Sequence, residues 1–140
     1  MLEQEIQQIL AIIEQSFLRQ DEKDALKNLL GEKGASVSFF ENANRVFSQA
    51  LLRNGELSDE IVQKFDDESA ALEQQHQQNI SELGEALEKN IDGVDATDLV
   101  MKNEIFDRYY LEKERLDAEY LERLKKMTSQ LAMRIIKEVS

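Results

Sequence analysis

Residues 96–138 read ATDLVMKNEIFDRYYLEKERLDAEYLERLKKMTSQLAMRIIKE and contain neither glycine nor proline. Apolar residues recur there at spacings of three, four and seven, which is typical of one face of a long helix. The residues along this seam are Leu99, Phe106, Tyr109, Leu116, Tyr120, Leu124, Met127, Leu131 and Ile135. The pattern predicts a helix of about 43 residues, roughly 65 Å long at 1.5 Å per residue.

A second long helix is predicted from Ser58 to about Ile91, interrupted only by Gly84, which costs about 1 kcal/mol relative to alanine. The turn Asp92–Asp95 separates the two long helices. Residues 57–98 hold twelve acidic and two basic residues, whereas residues 99–140 hold eight acidic and nine basic residues. This charge asymmetry favours an antiparallel hairpin of the two helices.

A turn near Gly93 would set Val62 opposite Lys125. That register predicts ion pairs between acidic residues at the start of one helix and basic residues at the end of the other. The acidic set is Asp59, Glu60, Asp66, Asp67 and Glu68, and the basic set is Arg123, Lys125, Lys126 and Arg134.

Three short helices are predicted before the hairpin, over residues 2–19, 21–31 and 38–53. Asp21 and Ser38 are the predicted N-caps of the second and third helices, and Ser38 would form a capping box with Glu41. The predicted fold is all-α, a helical bundle with a long antiparallel coiled-coil-like hairpin of two C-terminal helices and two or three short N-terminal helices. Residues 1–56 would form a subdomain that packs on the base of the hairpin, which spans residues 57–140 and turns near 92–95.

The composition excludes several classes of chemistry. The chain of 140 residues has no cysteine, which excludes disulfides, thiolate catalysis and cysteine-ligated zinc. A formal net charge of −12 argues against DNA, RNA and anionic membranes as partners, because each attracts a basic surface. The pattern shows neither a secretory signal nor an apolar run that could span a bilayer. We therefore expect a cytoplasmic protein.

Glu73 and His76 form the only Glu-x-x-His pair in the chain. Carboxylate-bridged di-iron bundles use two such pairs together with two further glutamates, so a second copy would have to supply the other half. The alternative interpretation is a histidine that packs at a half-buried seam position. A hydrolytic triad is excluded, since the chain holds no second histidine and no nucleophile-elbow serine.

Two further pairs of acids, Glu85-x-x-Glu88 and Glu114-x-x-Asp117, lie on the long helices. They resemble the paired acidic motifs of the all-α nucleoside triphosphate pyrophosphohydrolases of the MazG type. The resemblance covers these four residues and implies magnesium bound between helices. The chain has 29 acidic residues, and Glu82-x-x-Glu85 repeats the same spacing, so a solvated acidic face is the competing interpretation.

Three aspartates, Asp92, Asp95 and Asp98, cluster at the predicted turn. A calcium-binding EF-hand loop would need alternating ligands and a glutamate at its twelfth position, and this segment has neither. The aspartates are instead predicted to form the turn and to cap the last helix. No metal site and no cofactor are therefore predicted.

The length of the hairpin motivates a functional hypothesis. Each long helix would be roughly 50 Å or more in length at 1.5 Å per residue. Three short helices cannot cover that length, and apolar stripes that stay exposed usually mark interfaces. We expect a non-enzymatic protein–protein interaction module, such as an adaptor, chaperone, assembly factor or inhibitor, that binds a protein partner or a second copy as a homodimer. The predicted interaction residues are Phe40, Phe47, Phe106, Tyr110, Tyr120, Leu124, Met127, Leu131 and Ile135.

Two alternatives stay open beside this hypothesis. One is a metal-dependent enzyme with carboxylates between its helices, of the pyrophosphohydrolase or di-iron kind. The other is a mimic of nucleic acid, in which the acidic surface occupies the DNA-binding site of another protein. A small-molecule substrate is not expected, since the chain has no glycine-rich phosphate-binding loop.

Overall fold

The computed structural model describes residues 2–135, except for the side chain of Leu2. Within this range the chain forms five helices and no strand: α1 (Leu2–Gln15), α2 (Gln20–Lys33), α3 (Val37–Arg53), α4 (Asp59–Asp92) and α5 (Leu99–Ile135). The prediction of an all-α fold with two long C-terminal helices is confirmed. The predicted extension of the last helix to Glu138 lies outside the described residues.

The chain divides into two compact units. One, the bundle unit, comprises residues 2–69 and 121–135 of the described chain. The other, the hairpin unit, comprises Ala70–Tyr120. Helices α4 and α5 therefore run through both units, while α1, α2 and α3 belong to the bundle unit alone. The predicted division between residues 56 and 57 stays a prediction.

The bundle unit owes its core to matching apolar faces on α3 and on the last turns of α5. Residues three and four apart share a helix face, so each of these helices presents a continuous apolar surface. The buried side chains on them are Phe39, Phe40, Ala43, Phe47, Ala50, Leu51, Leu124, Met127, Leu131, Ala132 and Ile135. Burying each of the larger ones contributes about 1.5–3 kcal/mol. Ile13, Leu26 and Leu30 extend the core to α1 and α2.

A buried polar contact joins α3 to α5 within this core. The Asn44 amide donates from Nδ2 to the carbonyl oxygen of Leu124 at 3.3 Å, and the Thr128 hydroxyl lies 2.5 Å from Asn44 Oδ1. Nearby, the backbone amide of Phe17 donates to the carbonyl oxygen of Ile135 at 3.1 Å. Buried polar groups need such partners, because an unpaired one loses its hydration without compensation. This contact was not predicted from the sequence.

Two of the predicted helix N-caps are wrong. Helix α3 begins at Val37, and Ser36 rather than Ser38 is its N-cap: the Ser36 hydroxyl accepts the backbone amide of Phe39 at 3.3 Å. Helix α2 begins at Gln20, one residue before the predicted cap Asp21. At α3, Ser36 and Ser38 are equally suitable caps by residue type. At α2 the N-cap is Arg19, which residue type does not favour, and Glu22 Oε1 accepts its backbone amide at 3.0 Å.

The polar residues around α4 and the turn act as predicted. Ser58 Oγ accepts the backbone amide of Ile61 at 3.3 Å at the start of α4. Asp98 Oδ1 accepts the amide of Met101 at 3.1 Å at the start of α5. Between the helices, Asp95 Oδ1 accepts both the backbone amide of Thr97 at 3.0 Å and its hydroxyl at 2.9 Å. These two hydrogen bonds hold the pKa of Asp95 below its ordinary value.

The predicted register of the hairpin is wrong. In the bundle unit, Ser69 Oγ and Met127 Sδ are 3.9 Å apart, whereas Val62 opposite Lys125 would have set Ser69 opposite Ala118. Part of the shift arises because α5 begins at Leu99, not near Ala96, so the turn is longer than predicted.

The predicted ion pairs fail with the register. In residues 2–135, no ion pair joins the acids of residues 59–68 to the bases of residues 123–134. Lys125 Nζ lies instead 2.6 Å from Glu5 Oε1 of α1, and 5.8 Å from the ring centre of Phe40. The amphipathic stem and charged head of this lysine therefore connect α5 to both α1 and α3.

Candidate interaction surface

The hairpin unit has no buried residue between Ala70 and Glu119. Its two helices run antiparallel, since His76 contacts Asp117 while Leu83 and Leu87 lie across a groove from Ile105. Two helices alone cover only one stripe of each other, so the seam between them stays half-buried. The half-buried apolar residues are Leu72, Ile80, Leu83, Leu87, Ile91, Ile105, Tyr109 and Leu116.

An open groove of about 670 Å³ runs along one side of this seam. Leu83, Ala86 and Leu87 of α4 form one wall, and Met101 and Leu111 of α5 lie on the other. Met101 is 41% exposed and Leu111 is 66% exposed. The volume is in the range of sites that bind ligands or the side chains of partners.

A second exposed apolar set lies on the opposite side of the α5 seam. Successive residues turn by 100° on a helix, which places Phe106 and Tyr110 on the side of Ile105 away from Leu111. Phe106 is 38% exposed and Tyr110 is 58% exposed. The rings of Tyr109 and Tyr110 contact edge to face, with centres 5.3 Å apart. Both sides of the hairpin unit thus present apolar side chains to solvent.

Seven of the nine predicted interaction residues are buried inside this chain. Phe106 and Tyr110 are the two that are exposed. The buried ones are Phe40, Phe47, Tyr120, Leu124, Met127, Leu131 and Ile135. The physical reason is that α3, with Phe40 and Phe47, covers the C-terminal part of the α5 seam, while His76 of α4 stacks on Tyr120. The exposed stripe that we expected is therefore confined to the hairpin unit.

His76 packs in the seam of the hairpin unit, which is the arrangement expected of a single half-motif. Its Nε2 lies 3.0 Å from Asp117 Oδ1, and its ring stacks on Tyr120 with centres 4.5 Å apart. The Nδ1 atom is buried and has no hydrogen-bond partner among the described residues. The contacts make His76 a packing residue that joins α4 to α5.

The metal-site candidates do not converge. Only His76 and Asp117 meet, while Glu73 accepts a hydrogen bond of 3.4 Å from Gln77 on its own helix. The remaining candidates, Glu85, Glu88 and Glu114, have exposed side chains. Over residues 2–135 there is no group of three or more histidine, cysteine, aspartate or glutamate side chains with the geometry to hold a metal ion.

The charged residues of α5 beside the groove differ in their partners. Arg115 forms an ion pair with Glu112, and its Nη1 atom lies 2.5 Å from Glu119 Oε1. Its hydrogen bond to Glu112 holds the pKa of that carboxyl below the ordinary value, and the same contact raises the pKa of Arg115. For Glu104 and Arg108, by contrast, the described part of the chain supplies no ion-pair partner.

The groove residues Met101, Arg108 and Leu111, and Glu104 on the same side of α5, were not predicted from the sequence. They lie off the main seam, so a search for the strongest heptad overlooked them. Their own spacing of three, four and three residues was the available signal, since it defines a second stripe on the same helix.

No helix in the described range combines the length and the apolar character that crossing a bilayer requires. Comparison with known proteins gave no match to a family model, to a curated protein or to a solved structure.

Proposed function

We propose that this chain is a non-enzymatic interaction module that binds another polypeptide through the hairpin unit. The supporting observation is that Ala70–Glu119 contains no buried residue although it carries a regular apolar seam. Segments of this kind are usually completed by another chain, because apolar surface gains free energy when it leaves water.

The groove side favours a helical partner. Its aliphatic residues, such as Leu83, Leu87 and Leu111, follow the two helices, which suits the apolar face of an amphipathic helix laid into a groove. Burying Leu111 and Met101 would contribute about 1.5–3 kcal/mol each when complete. The charged rim residues Arg108 and Glu112 would mainly orient the partner and would add little to its affinity.

The proposal is tested by a pair of matched substitutions on α5. Leu111→Asp places a charge on the groove wall, whereas Met133→Asp places one on the bundle unit at a residue that is 83% exposed. Both sites are exposed, so both variants are expected to keep the helical content of the wild type. We expect Leu111→Asp to lose binding in quantitative affinity capture and light scattering, and Met133→Asp to keep it.

If the wild type and both variants captured the same proteins and each had a monomeric mass, that result would count against the proposal. A partner that is lost with Met133→Asp and kept with Leu111→Asp would also contradict it, because it would place the binding surface on the bundle unit.

A further inference from the structure

We propose that the partner of the groove side is a second copy of this chain, docked antiparallel along one stripe of α5. We call the residues Met101, Glu104, Arg108 and Leu111 the outer stripe. This inference rests on the proposed function and names its partner. It follows from the order of side chains along the stripe.

The outer stripe has the geometry of a coiled-coil seam. Its residues are spaced by three, four and three, and all four side chains are exposed. Met101, Arg108 and Leu111 also line the groove beside α4. The stripe thus combines a regular helical face with an adjoining cavity, which knobs from a facing helix can fill.

The stripe is complementary to itself when it is reversed. A two-fold axis at the level of Phe106 exchanges position 101 with 111 and position 104 with 108. Met101 then meets Leu111 of the other copy, and Glu104 meets Arg108. Each contact occurs twice, as it must in an isologous dimer. Apolar side chains therefore face apolar ones, and opposite charges face each other.

The two charged residues of the stripe are available for such a contact. Glu104 and Arg108 are four residues apart on one helix, yet neither forms an ion pair in residues 2–135. Arg115, farther along the same side, is already engaged by Glu112 and Glu119. A second copy would supply partners to Glu104 and Arg108 without displacing an existing ion pair.

The net charge of the hairpin unit does not prevent this contact. The unit holds thirteen acidic and five basic residues, a net charge of −8, but Glu112 is the one acid that lines the groove, beside Arg108 and Arg115. The remaining acids lie away from the groove, and repulsion between them is screened beyond about 8 Å at physiological ionic strength. The docking face itself is close to neutral.

The test uses two charge reversals and a mixture of them. Glu104→Arg and Arg108→Glu each place like charges opposite one another in the homodimer, so each variant alone is expected to weaken self-association by about ten-fold or more. Mixed together, one copy presents two arginines and the other two glutamates, and every facing pair is again opposite in charge. We expect sedimentation velocity to show a heterodimer in the mixture.

Controls separate this outcome from a loss of folding. Glu114→Arg makes the same reversal on α5 away from the outer stripe and should keep the self-association of the wild type. Recovery in the mixture shows that each single variant is folded and rules out repair within one helix. Because four side chains from each copy support only a small interface, the measurements should reach about 100 µM.

A wild-type chain that is monomeric over that range would overturn the inference. So would a dimer that neither reversal weakens, or a mixture that stays monomeric. If the wild type is monomeric but captures another protein that Leu111→Asp loses, the second copy is wrong as the partner while the proposed function stands.

Discussion

Single polar side chains hold the helices of the bundle unit in position. Asn44 is buried and spans from α3 to α5, where it meets the carbonyl oxygen of Leu124 and the hydroxyl of Thr128. Glu22 connects α2 to α3, since its carboxylate accepts from Arg53 Nη2 at 2.9 Å and from the backbone amide of Arg19 at 3.0 Å. Each of these side chains forms hydrogen bonds with polar groups on a neighbouring helix.

Replacing Asn44 tests the first of these contacts. Asn44→Ala removes the two hydrogen bonds of the Asn44 amide and opens a small cavity, so we expect a loss of about 1–3 kcal/mol in the free energy of unfolding. The Thr128 hydroxyl keeps the Leu124 carbonyl oxygen as a partner at 2.9 Å. Urea denaturation followed by circular dichroism measures the loss. Gln49→Ala on the exposed face of α3 is the control, and equal stability of the two variants would contradict the expectation.

The ionisation of Glu22 gives the fold a dependence on pH. Burial by itself would raise the pKa of Glu22, but the hydrogen bond and positive charge of Arg53 and the Arg19 amide outweigh it and lower the pKa below 4.5. A lowered folded-state pKa stabilises the fold above pH 4.5, and this contribution disappears as the pH falls through the folded-state pKa.

We therefore expect Glu22→Gln to reduce the free energy of unfolding at pH 7 by about 1 kcal/mol. The difference from the wild type should shrink steadily as the pH is lowered below 4.5, the ordinary pKa of this carboxyl. Thermal melts over this pH range measure it. Glu32→Gln, at an exposed site of the same helix, should show no such convergence, and a difference at Glu22 that is independent of pH would refute the assignment.

At the scale of the helix, stability depends on how each end satisfies its free backbone groups. Helix α3 begins with Ser36, whose hydroxyl accepts an amide of the first turn, and ends before Gly55, whose φ is +74°. Glycine adopts this left-handed conformation without the clash that a Cβ would cause. The long helices carry a different weak point, since Gly84 lies in the interior of α4.

Ser36 and Ser38 lie two residues apart at the start of α3, but only Ser36 is the N-cap, so the two serines should differ in their contribution to stability. Ser36→Ala removes the acceptor for the Phe39 amide, and we expect a loss of about 1 kcal/mol in unfolding free energy. Ser38→Ala should change stability by only a few tenths of a kcal/mol, because alanine is a good residue inside a helix. Chemical denaturation of both variants decides between them, and the reverse order would restore Ser38 as the cap.

Alanine substitution at Gly84 and at Gly55 is expected to change the stability of the chain in opposite directions. Outside the backbone of its own helix and its two chain neighbours, a Cβ at Gly84 would meet no atom within 4 Å. Gly84→Ala should therefore stabilise the chain by about 0.5–1 kcal/mol through lower entropy of the unfolded state. Gly55→Ala should destabilise it by about 1–2 kcal/mol, since its positive φ is strained for alanine. Melting temperatures of the two variants must move in opposite directions for this account to hold.

At the scale of the whole molecule, the two units differ in how much of their apolar surface is buried. The bundle unit packs the last turns of α5 against α1, α3 and the start of α4, and its largest side chains are fully buried. The hairpin unit relies on a single half-buried seam. Regions with fewer buried apolar contacts open locally at lower free energy than the core.

Amide hydrogen exchange should reveal this difference. We expect amides of residues 75–115 to exchange about ten-fold faster or more than those of residues 39–51, in dilute solution where the chain does not associate. The comparison should be repeated with Arg108→Glu, which is expected to weaken the proposed self-association, so that any protection by a second copy is removed. Uniform protection across both segments would contradict the division into two units.

Part of the exposed apolar surface could be predicted from the sequence. Phe106 and Tyr110 were predicted as interaction residues, and both are exposed, while their role in binding stays a prediction. The buried ones, such as Leu124 and Leu131, showed the same spacing as the rest of that seam. No local feature of the sequence tells a stripe that is covered by the same chain from one that is left open.

The pattern of apolar residues, with no proline and little glycine, is sufficient to determine an all-α chain with two long helices, because helical periodicity is a local property. The register of α5, the choice of Ser36 as a cap and the burial of Asn44 were decided only in the folded protein. Each of them depends on which groups meet across distant parts of the chain, and packing free energy selects that arrangement among several with equal local merit.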